Sequence, residues 1–356
     1  MKNRLYIFSN TLLKRKDNTL FYQSIMDDED YEHQSIISED YLNGSDALVP
    51  NNCGNYIPIE SIDSIFSFGT LHFNSRLLSF LAYNGVPLHN FSFRGDYIGS
   101  FFPPADLFSG AILIKQSKAY LDDEIRLAFS QEIISASIYN MSDVLKYYNR
   151  RNKPVADYIE YMAELRQQST QTESVEELRG VEGNAKKIYY SAWKHLFSYP
   201  IEFSQRIKRP PNNLINSLIS YGNMIVYSTC LNQIYQTRLN PDIGFVHEPG
   251  DGKYALAYDI ADIFKPIITD RAIFYAINKN IISENDCFIK NGNCILTKDC
   301  RKKYVGIIED KLQSKLSLPD KNKSLTLVRI IKDECYKIIK SISDDLPYKA
   351  YKMNVK

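Results

Sequence analysis

The pattern of side chains changes once along this chain, at the segment "FFPPAD", residues 101–106. Before it lie short segments rich in Ile, Phe and Tyr and separated by Gly and Pro, as is typical of β-strands. After it, apolar residues recur at helical spacing over long segments. A chain of 356 residues also exceeds the usual size of one small core. The change therefore predicts a two-domain α+β protein: a β-strand-rich, β-sandwich-like domain over residues 1–97, a linker over 98–107 and an all-helical domain over 108–356.

Local signals within the first domain predict individual elements. The segment "RLYIFSNTLLKRKDNTLFYQS" has two strand-like halves around "KRKDN", which predicts a β-hairpin. The segment "FNSRLLSFLAYNG" predicts one short helix, with Asn74 as its N-cap and Gly85 after its end. The acidic segment "MDDEDYEHQSIISED", residues 26–40, predicts an exposed loop or edge strand.

The second domain is predicted to be a bundle of helices. Its segment "DDEIRLAFSQEIISASIYNMSDVLKYYNRR" begins with acidic residues and ends with basic ones, as the helix dipole favours. The segment "NNLINSLISYGNMIVYSTCLNQIY" is apolar around much of its circumference, which predicts a helix at the centre of the bundle. Further helices are predicted at about residues 155–167, 173–197, 212–239, 255–279, 299–315 and 323–342.

Three of the six cysteines lie in "CFIKNGNCILTKDC", residues 287–300. Their spacings do not match those of structural zinc sites, so a hairpin around "KNGN" is the better interpretation. The chain has no uninterrupted apolar run of the length that spans a membrane, about 18 residues. The N-terminus lacks the features of a secretory signal, so we expect a cytoplasmic protein without a membrane partner.

The segment "GFVHEPGDGKYALAYDIADIFKP", residues 244–266, places two carboxylates in an apolar helical run. Asp259 and Asp262 are three residues apart and so lie on nearly the same helix face, and the preceding turn can bring His247 beside them. Glu182, near a helix start upstream, is a third carboxylate. Such a set suits Mg²⁺ or Mn²⁺ better than zinc. Spacing alone leaves open a solvated helix face and a loop histidine bonded to the backbone.

Several other functional classes lack their motif. The segment "GDGK" is not a P-loop, because Tyr254 rather than Ser or Thr follows Lys253. The segment "HEPGD" does not match the zinc-protease motif H-E-x-x-H. No G-x-S-x-G hydrolase motif or Cys–His protease signature is present.

Charge is distributed unevenly, although the chain as a whole has a formal net charge of only +1. Residues 1–97 carry a net −5 and residues 98–356 a net +6, so the second domain is the better candidate to bind a polyanion. The candidate contacts to a phosphate backbone are Lys146, Arg150, Arg151, Lys186, Lys187, Arg206, Lys208, Arg209, Arg301, Lys302 and Lys303. Any one such cluster is more often a solvated face than a DNA contact.

Four segments in order resemble the CRISPR-associated protein one family: "VEGNAKKIYYSAW", "RPPNNLINSLISYGNMIVYSTC", "NPDIGFVHEPGDGKYALAYDIADIFKP" and "ITDRAIF". The N-terminal "IPIESIDSIFSFGTLHFNSRLLSFLAYNGVPLHNFSFRGDYIGSF" is similar to the β domain of that family. The resemblance therefore covers nearly the whole chain. It implies an integrase and endonuclease that joins the 3′-hydroxyl ends of captured DNA to the CRISPR repeat.

The resemblance also implies roles for individual residues. Glu182, His247 and Asp262 match the metal ligands of the family, and Asp259 matches an accompanying acidic residue, so these four form the predicted catalytic set. Lys265 stands where Arg is common, a departure that we expect to leave the metal undisturbed. The implied cofactor is Mn²⁺ or Mg²⁺. The implied partners are double-stranded DNA, a second copy of the chain in a homodimer, and CRISPR-associated protein two.

Two other functions are compatible with these residues and do not require all of the roles that the resemblance implies. A non-catalytic DNA-binding scaffold would need only the basic second domain and its aromatic residues. A metal-dependent phosphoesterase acting broadly on nucleic acids would use the same carboxylates without joining strands.

Overall fold

A computed structural model describes residues 2–26, 54–92, 94–104, 109–201, 203, 205–250, 254–318, 323–344 and 346–353. The chain divides into two compact units, Met1–Asp106 and Leu107–Lys356. The first is rich in strands and the second in helices, which confirms the predicted α+β class at this level. Residues 27–40 of the predicted acidic loop lie outside the described residues.

Two four-stranded sheets form the first unit over the part of it that is described. One has the order β1-β5-β7-β8 and the other β4-β3-β2-β6. Buried side chains of both sheets, such as Leu13 and Ile65, share one apolar core with Leu77 and Leu81 of helix α1. The elements are β1 (Asn3–Ile7), β2 (Asn10–Lys16), β3 (Thr19–Met26), β4 (Asn55–Pro58), β5 (Ile62–Ser67), β6 (Leu71–His72), α1 (Ser75–Asn84), β7 (Leu88–Phe91) and β8 (Tyr97–Phe101).

Short-range predictions for this unit are confirmed. Strands β2 and β3 form the predicted antiparallel hairpin, with the turn residue Asp17 at a φ of 52°. The side chain of Asn74 accepts a hydrogen bond from Leu77 N at 3.2 Å, and Gly85 ends helix α1 in the left-handed region at a φ of 67°. Strand β8 pairs with β7 as far as residue 101, so the sheet includes residues that the sequence had assigned to the start of the linker.

The second unit is built mainly from helices, and the predicted central helix is confirmed as α6, which is buried along nearly its whole length. Within the described ranges, none of the helices is long and apolar enough to cross a membrane. The elements are α2 (Gly110–Leu121), α3 (Asp123–Asn149), α4 (Ala156–Ser169), α5 (Val175–Ala192), α6 (Leu214–Tyr235), α7 (Ala255–Lys265), α8 (Arg271–Asn278), β9 (Cys287–Lys290), β10 (Asn293–Leu296), α9 (Lys298–Gln313), β11 (Lys315–Leu318), β12 (Lys323–Thr326) and α10 (Leu327–Asp344).

The prediction that this unit is all-helical is wrong, because two antiparallel hairpins interrupt the helices. Strands β9 and β10 are joined at Asn291 and Gly292, which have φ angles of 52° and 74°. Asn-Gly tolerates positive φ at both turn positions, as a two-residue hairpin requires. This is the hairpin predicted around "KNGN". Strands β11 and β12 pair with each other. Strand β12 lies where the start of the helix at 323–342 was predicted, and β11 follows the predicted end of the helix at 299–315.

Helix α7 continues through a π-helical turn, Pro266–Asp270, into α8. Its backbone is held by α3, whose Ser137 hydroxyl donates to Asp262 O at 2.8 Å. The Asn140 side chain donates to Ile263 O at 2.9 Å and to Tyr351 O at 3.2 Å, and it accepts from Met353 N at 2.8 Å. Asn140 therefore ties α7 to both α3 and the C-terminal segment, residues 346–353.

Candidate metal centre

Helix α5 carries the first predicted ligand, Glu182, at mid-length. The helix begins after Ser174, whose hydroxyl accepts from Glu177 N at 3.1 Å, a standard N-cap. The side chain of Glu182 is only 12% exposed. A carboxylate this poorly hydrated needs a cationic partner close by.

Helix α7 carries Asp259 and Asp262, and the structure gives them different roles. Asp259 is fully buried and accepts from the backbone N–H groups of Phe245 at 2.5 Å, Val246 at 3.1 Å and His247 at 3.0 Å. It also accepts from His247 Nδ1 at 2.8 Å. These four bonds use both carboxylate oxygens, so Asp259 positions the histidine loop. Its predicted place in the catalytic set is better described as orientation of His247.

The chain before this loop approaches Asp259 closely at Gly244. A Cβ atom there would come within 2.8 Å of Asp259 Oδ2 and 2.9 Å of the Ala255 carbonyl carbon. Both atoms are held in place by the helix and its hydrogen bonds, so neither can move away. The position therefore requires glycine.

Three residues that the sequence did not single out hold the histidine loop from the other side. Arg179 on α5 donates through Nε and Nη2 to Val246 O, at 3.0 and 2.6 Å. Arg126 on α3 donates to Phe245 O at 3.0 Å and to Glu248 Oε1 at 2.6 Å. Tyr120 donates to Glu248 Oε2 at 2.7 Å. These contacts depend on which way each side chain points across the bundle, which spacing along the chain does not indicate.

Asp262 is 1% exposed and is paired with two ammonium groups. Lys265 Nζ forms an ion pair with Asp262 Oδ1, and Lys186 Nζ lies 3.3 Å from Asp262 Oδ2. The same Lys186 ammonium is hydrogen-bonded to Glu182 Oε1. The structure therefore brings Glu182 and Asp262 together around one positive charge. Lys265, which stands where Arg is common in the family, contacts the predicted ligand Asp262 directly.

Electrostatics favour an ionised carboxylate at Asp262. Burial acts to raise its pKa, but the charges of Lys186, Lys265 and His247 outweigh burial and hold the pKa well below its usual value. Burial likewise acts to lower the pKa of His247, and its hydrogen bond to Asp259 raises that pKa above the usual value. Because a carboxylate can only accept, Nδ1 carries the proton and Nε2 is the nitrogen left to act as a ligand.

The residues fit a divalent ion in their chemistry, with two carboxylates and one oriented imidazole. Within the described ranges, however, no three His, Cys, Asp or Glu side chains stand close enough together to hold an ion. Lys186 Nζ instead lies between Glu182 Oε1 and Asp262 Oδ2, so the two carboxylates share one ammonium group in this structure.

The predicted backbone-binding residues separate into two groups. The exposed ones are Lys146, Arg150, Arg151, Lys187, Lys208, Arg209, Lys302 and Lys303. Partial burial, together with the charges of Lys186, Lys265 and Arg206, lowers the pKa of Lys208, which places Lys208 in a local excess of positive charge beside the site.

Two of the predicted DNA contacts are engaged with the protein itself, and their role in binding DNA stays a prediction. Arg206 donates to Ile207 O at 2.5 Å, to Asn216 O and Oδ1 at 3.1 Å, and to Ser220 Oγ at 2.7 Å, fastening the loop before α6 to that helix. Arg301 is buried because it shares a face of α9 with Val305 and Ile308. Lys186 is engaged with the two carboxylates.

A family model described as CRISPR associated protein Cas1 matches residues 5–310, which covers both units. The chain belongs to the Cas1 family. The predicted family is thereby confirmed, and with it the predicted class of enzyme, a CRISPR-associated endonuclease and integrase.

Curated Cas1 relatives match over most of their length. The CRISPR-associated endonuclease Cas1 of Fusobacterium nucleatum subsp. nucleatum is 34% identical over 354 residues, covering 99% of this chain and 97% of the relative. The CRISPR-associated endonuclease Cas1 of Haloferax volcanii is 36% identical over 295 residues, covering 83% of this chain and 89% of the relative.

Solved structures show the same architecture. A Cas1 protein from Thermotoga maritima aligns with a TM-score of 0.79 at 30% identity, covering 98% of this chain and all of the other. A casposase bound to integration product aligns with a TM-score of 0.81 at 20% identity, covering 98% of this chain and 93% of the other. At that identity the casposase supports the fold of this Cas1 chain.

Proposed function

We propose that this Cas1 protein is a divalent-metal-dependent DNA integrase and endonuclease that joins the 3′-hydroxyl ends of captured DNA to the CRISPR repeat. Glu182, His247 and Asp262 hold the ion. The observation that carries the proposal is the convergence of Glu182 and Asp262, from two different helices, on one cation. Asp259 and the arginines that hydrogen-bond to the histidine loop hold His247 in one orientation.

Each residue has a defined task in this proposal. Asp262, kept ionised by its surroundings, and Glu182 supply hard oxygen ligands. Asp259 holds the His247 ring with Nε2 available. The ion, when bound, supplies the charge that stabilises the attacked phosphate and activates the attacking hydroxyl. Mn²⁺ and Mg²⁺ both suit this donor set, and we expect either to support activity.

The proposed partners follow from the family. We propose that the chain binds double-stranded DNA, both as the captured fragment and as the repeat, and acts as a homodimer with CRISPR-associated protein two. A solved assembly named as a Cas6-RT-Cas1–Cas2 complex contains Cas2, and its chain aligns with this one at a TM-score of 0.79 and 18% identity. We also propose that the protein works in the cytoplasm.

Strand joining separates this function from its alternatives. Purified protein, with and without its companion subunit, is incubated with a repeat-containing target and a short duplex ending in a 3′-hydroxyl or a 3′-dideoxy nucleotide. We expect joined products only with the 3′-hydroxyl duplex and only with Mn²⁺ or Mg²⁺, and we expect EDTA to remove them. Hydrolysis without joining would indicate the broad phosphoesterase, and DNA binding with neither product would indicate the scaffold.

The exposed cation Lys208 provides a test of the DNA surface. Lys208→Ala is expected to weaken binding to every duplex sequence and to reduce the slope of log Kd against log salt by about one, as the loss of one phosphate contact should. Fluorescence anisotropy over a salt series measures both quantities. Lys340→Ala, an exposed lysine of α10 with no proposed DNA role, is the matched control. Equal salt slopes for the two variants would show that Lys208 does not contact a DNA phosphate.

A further inference from the structure

Lys186 joins the two acidic ligands. Its ammonium is hydrogen-bonded to Glu182 Oε1 and lies 3.3 Å from Asp262 Oδ2. Asp262 is 1% exposed, whereas the side chain of Lys186 is 32% exposed. The lysine therefore reaches into the site from the surface and can leave it by rotating its flexible stem.

Lys265, the other ammonium on Asp262, is more firmly held. Its side chain is 14% exposed, and its Nζ also donates to Tyr227 Oη at 3.1 Å. Lys265 follows Asp262 by one helical turn on α7, so the pair moves as one element. Of the two cations, Lys186 is the one that can exchange without disturbing the helix that carries the aspartate.

An ammonium and a divalent ion that contact the same carboxylate oxygens repel each other strongly, because like charges are weakly screened in a poorly hydrated site. Without metal, Lys186 and Lys265 balance the charges of Glu182 and Asp262. When an ion binds, the site gains positive charge, and the displaced ammonium needs a new anionic partner.

We infer that Lys186 is a built-in counter-ion that competes with the divalent metal, and that metal binding releases its ammonium to a DNA phosphate. The inference rests on the proposed metal site. Lys187, exposed on the same helix, and Lys208, which interacts electrostatically with Lys186, place other cations beside the released group. DNA and metal therefore bind cooperatively, each favouring the conformation in which Lys186 has left the carboxylates.

Mn²⁺ titration of Lys186→Met in the absence of DNA tests the competition. Methionine keeps the apolar stem and removes the charge. We expect Mn²⁺, followed by calorimetry or by the paramagnetic resonance signal of the free ion, to bind at least about tenfold more tightly than to the wild type. Lys340→Met removes an exposed lysine of α10 with no proposed role in metal or DNA binding and is expected to leave Mn²⁺ affinity within about twofold.

DNA affinity provides a second measurement that does not depend on turnover. A duplex with 3′-dideoxy ends is titrated with and without Mn²⁺. Wild-type protein and Lys340→Met are expected to bind it several-fold more tightly when Mn²⁺ is present, and Lys186→Met is expected to lose most of that gain. Circular dichroism and thermal unfolding establish that each variant is folded, and Lys186→Gln replaces Lys186→Met if the methionine variant is not.

The outcomes distinguish this inference from the function on which it rests. Unchanged or weaker Mn²⁺ binding in folded Lys186→Met would overturn the competition, while Mn²⁺ binding that still requires Asp262 would leave the metal site standing. Mn²⁺ binding by the wild type that Asp262→Asn leaves intact would instead contradict the proposed metal site itself. A Mn²⁺-dependent gain in DNA affinity that is as large in Lys186→Met as in the wild type would overturn the release to phosphate.

Discussion

Glu182→Gln is expected to abolish divalent-dependent cleavage and strand joining, by a factor of about 10³ or more. The change preserves the shape of the side chain and removes the charge of one proposed ligand, and metal-dependent stabilisation of a phosphoryl transition state amounts to several kcal/mol. The Glu182 side chain is only 12% exposed, but glutamine keeps its shape and an oxygen that can accept from Lys186, so we expect the free energy of unfolding to fall by no more than about 2 kcal/mol. Rates of strand joining and urea unfolding curves measure the two effects separately.

Glu176→Gln is the control for that variant. Glu176 is an exposed carboxylate on the same helix, so the substitution has the same chemistry without access to the site. We expect wild-type rates. If Glu182→Gln joined strands at a rate comparable to that of Glu176→Gln, the assignment of Glu182 as a ligand would be wrong.

Asp259→Asn is expected to remove both activity and stability. Each oxygen of Asp259 accepts two N–H groups, so the amide of asparagine must place its own donor against donors that are already fixed. Buried polar groups left without a partner cost about 1–3 kcal/mol each. We therefore expect the free energy of unfolding to fall by roughly 3 kcal/mol or more, measured by urea denaturation.

Asp310→Asn, at an exposed position of α9, is expected to leave the unfolding free energy within about 0.5 kcal/mol of the wild-type value. Comparing Asp259→Asn with Glu182→Gln then distinguishes a residue that positions a ligand from the ligand itself. The first variant is expected to lose both activity and stability, and the second to lose activity with a smaller loss of stability. A variant at Asp259 that lost activity while keeping full stability would indicate that Asp259 binds the ion directly and that its hydrogen bonds to the loop contribute little.

Features set by neighbouring residues could be predicted from the sequence. The β2–β3 hairpin, the cap at Asn74, the left-handed end at Gly85 and the Asn-Gly turn before β10 each depend on a few consecutive side chains. The boundaries of helices and strands in the second unit were harder to predict. The residues that form β12 were predicted as the start of a helix, and their pairing with β11 places them in a hairpin instead.

The candidate site could be predicted only in part. Motif resemblance identified Glu182, His247 and Asp262, but the separate role of Asp259 depends on where the histidine loop folds back. Charge alone could not show that Arg301 faces the core or that Lys186 bridges two carboxylates, since both follow from how helices pack. The hydrogen bonds from Arg126 and Arg179 to the histidine loop were not predicted, for the same reason.

The contact of Asn140 with the C-terminal segment has a consequence for the order in which a working protein is made. Helices α5 and α7 leave the ribosome well before Met353 does, so a growing chain carries all three proposed ligands early. Until residues 346–353 are synthesised, Asn140 lacks two of its three partners, and α7 lacks the support that reaches it through that side chain. The support that α7 receives through Asn140 is therefore complete only once residue 353 has been translated.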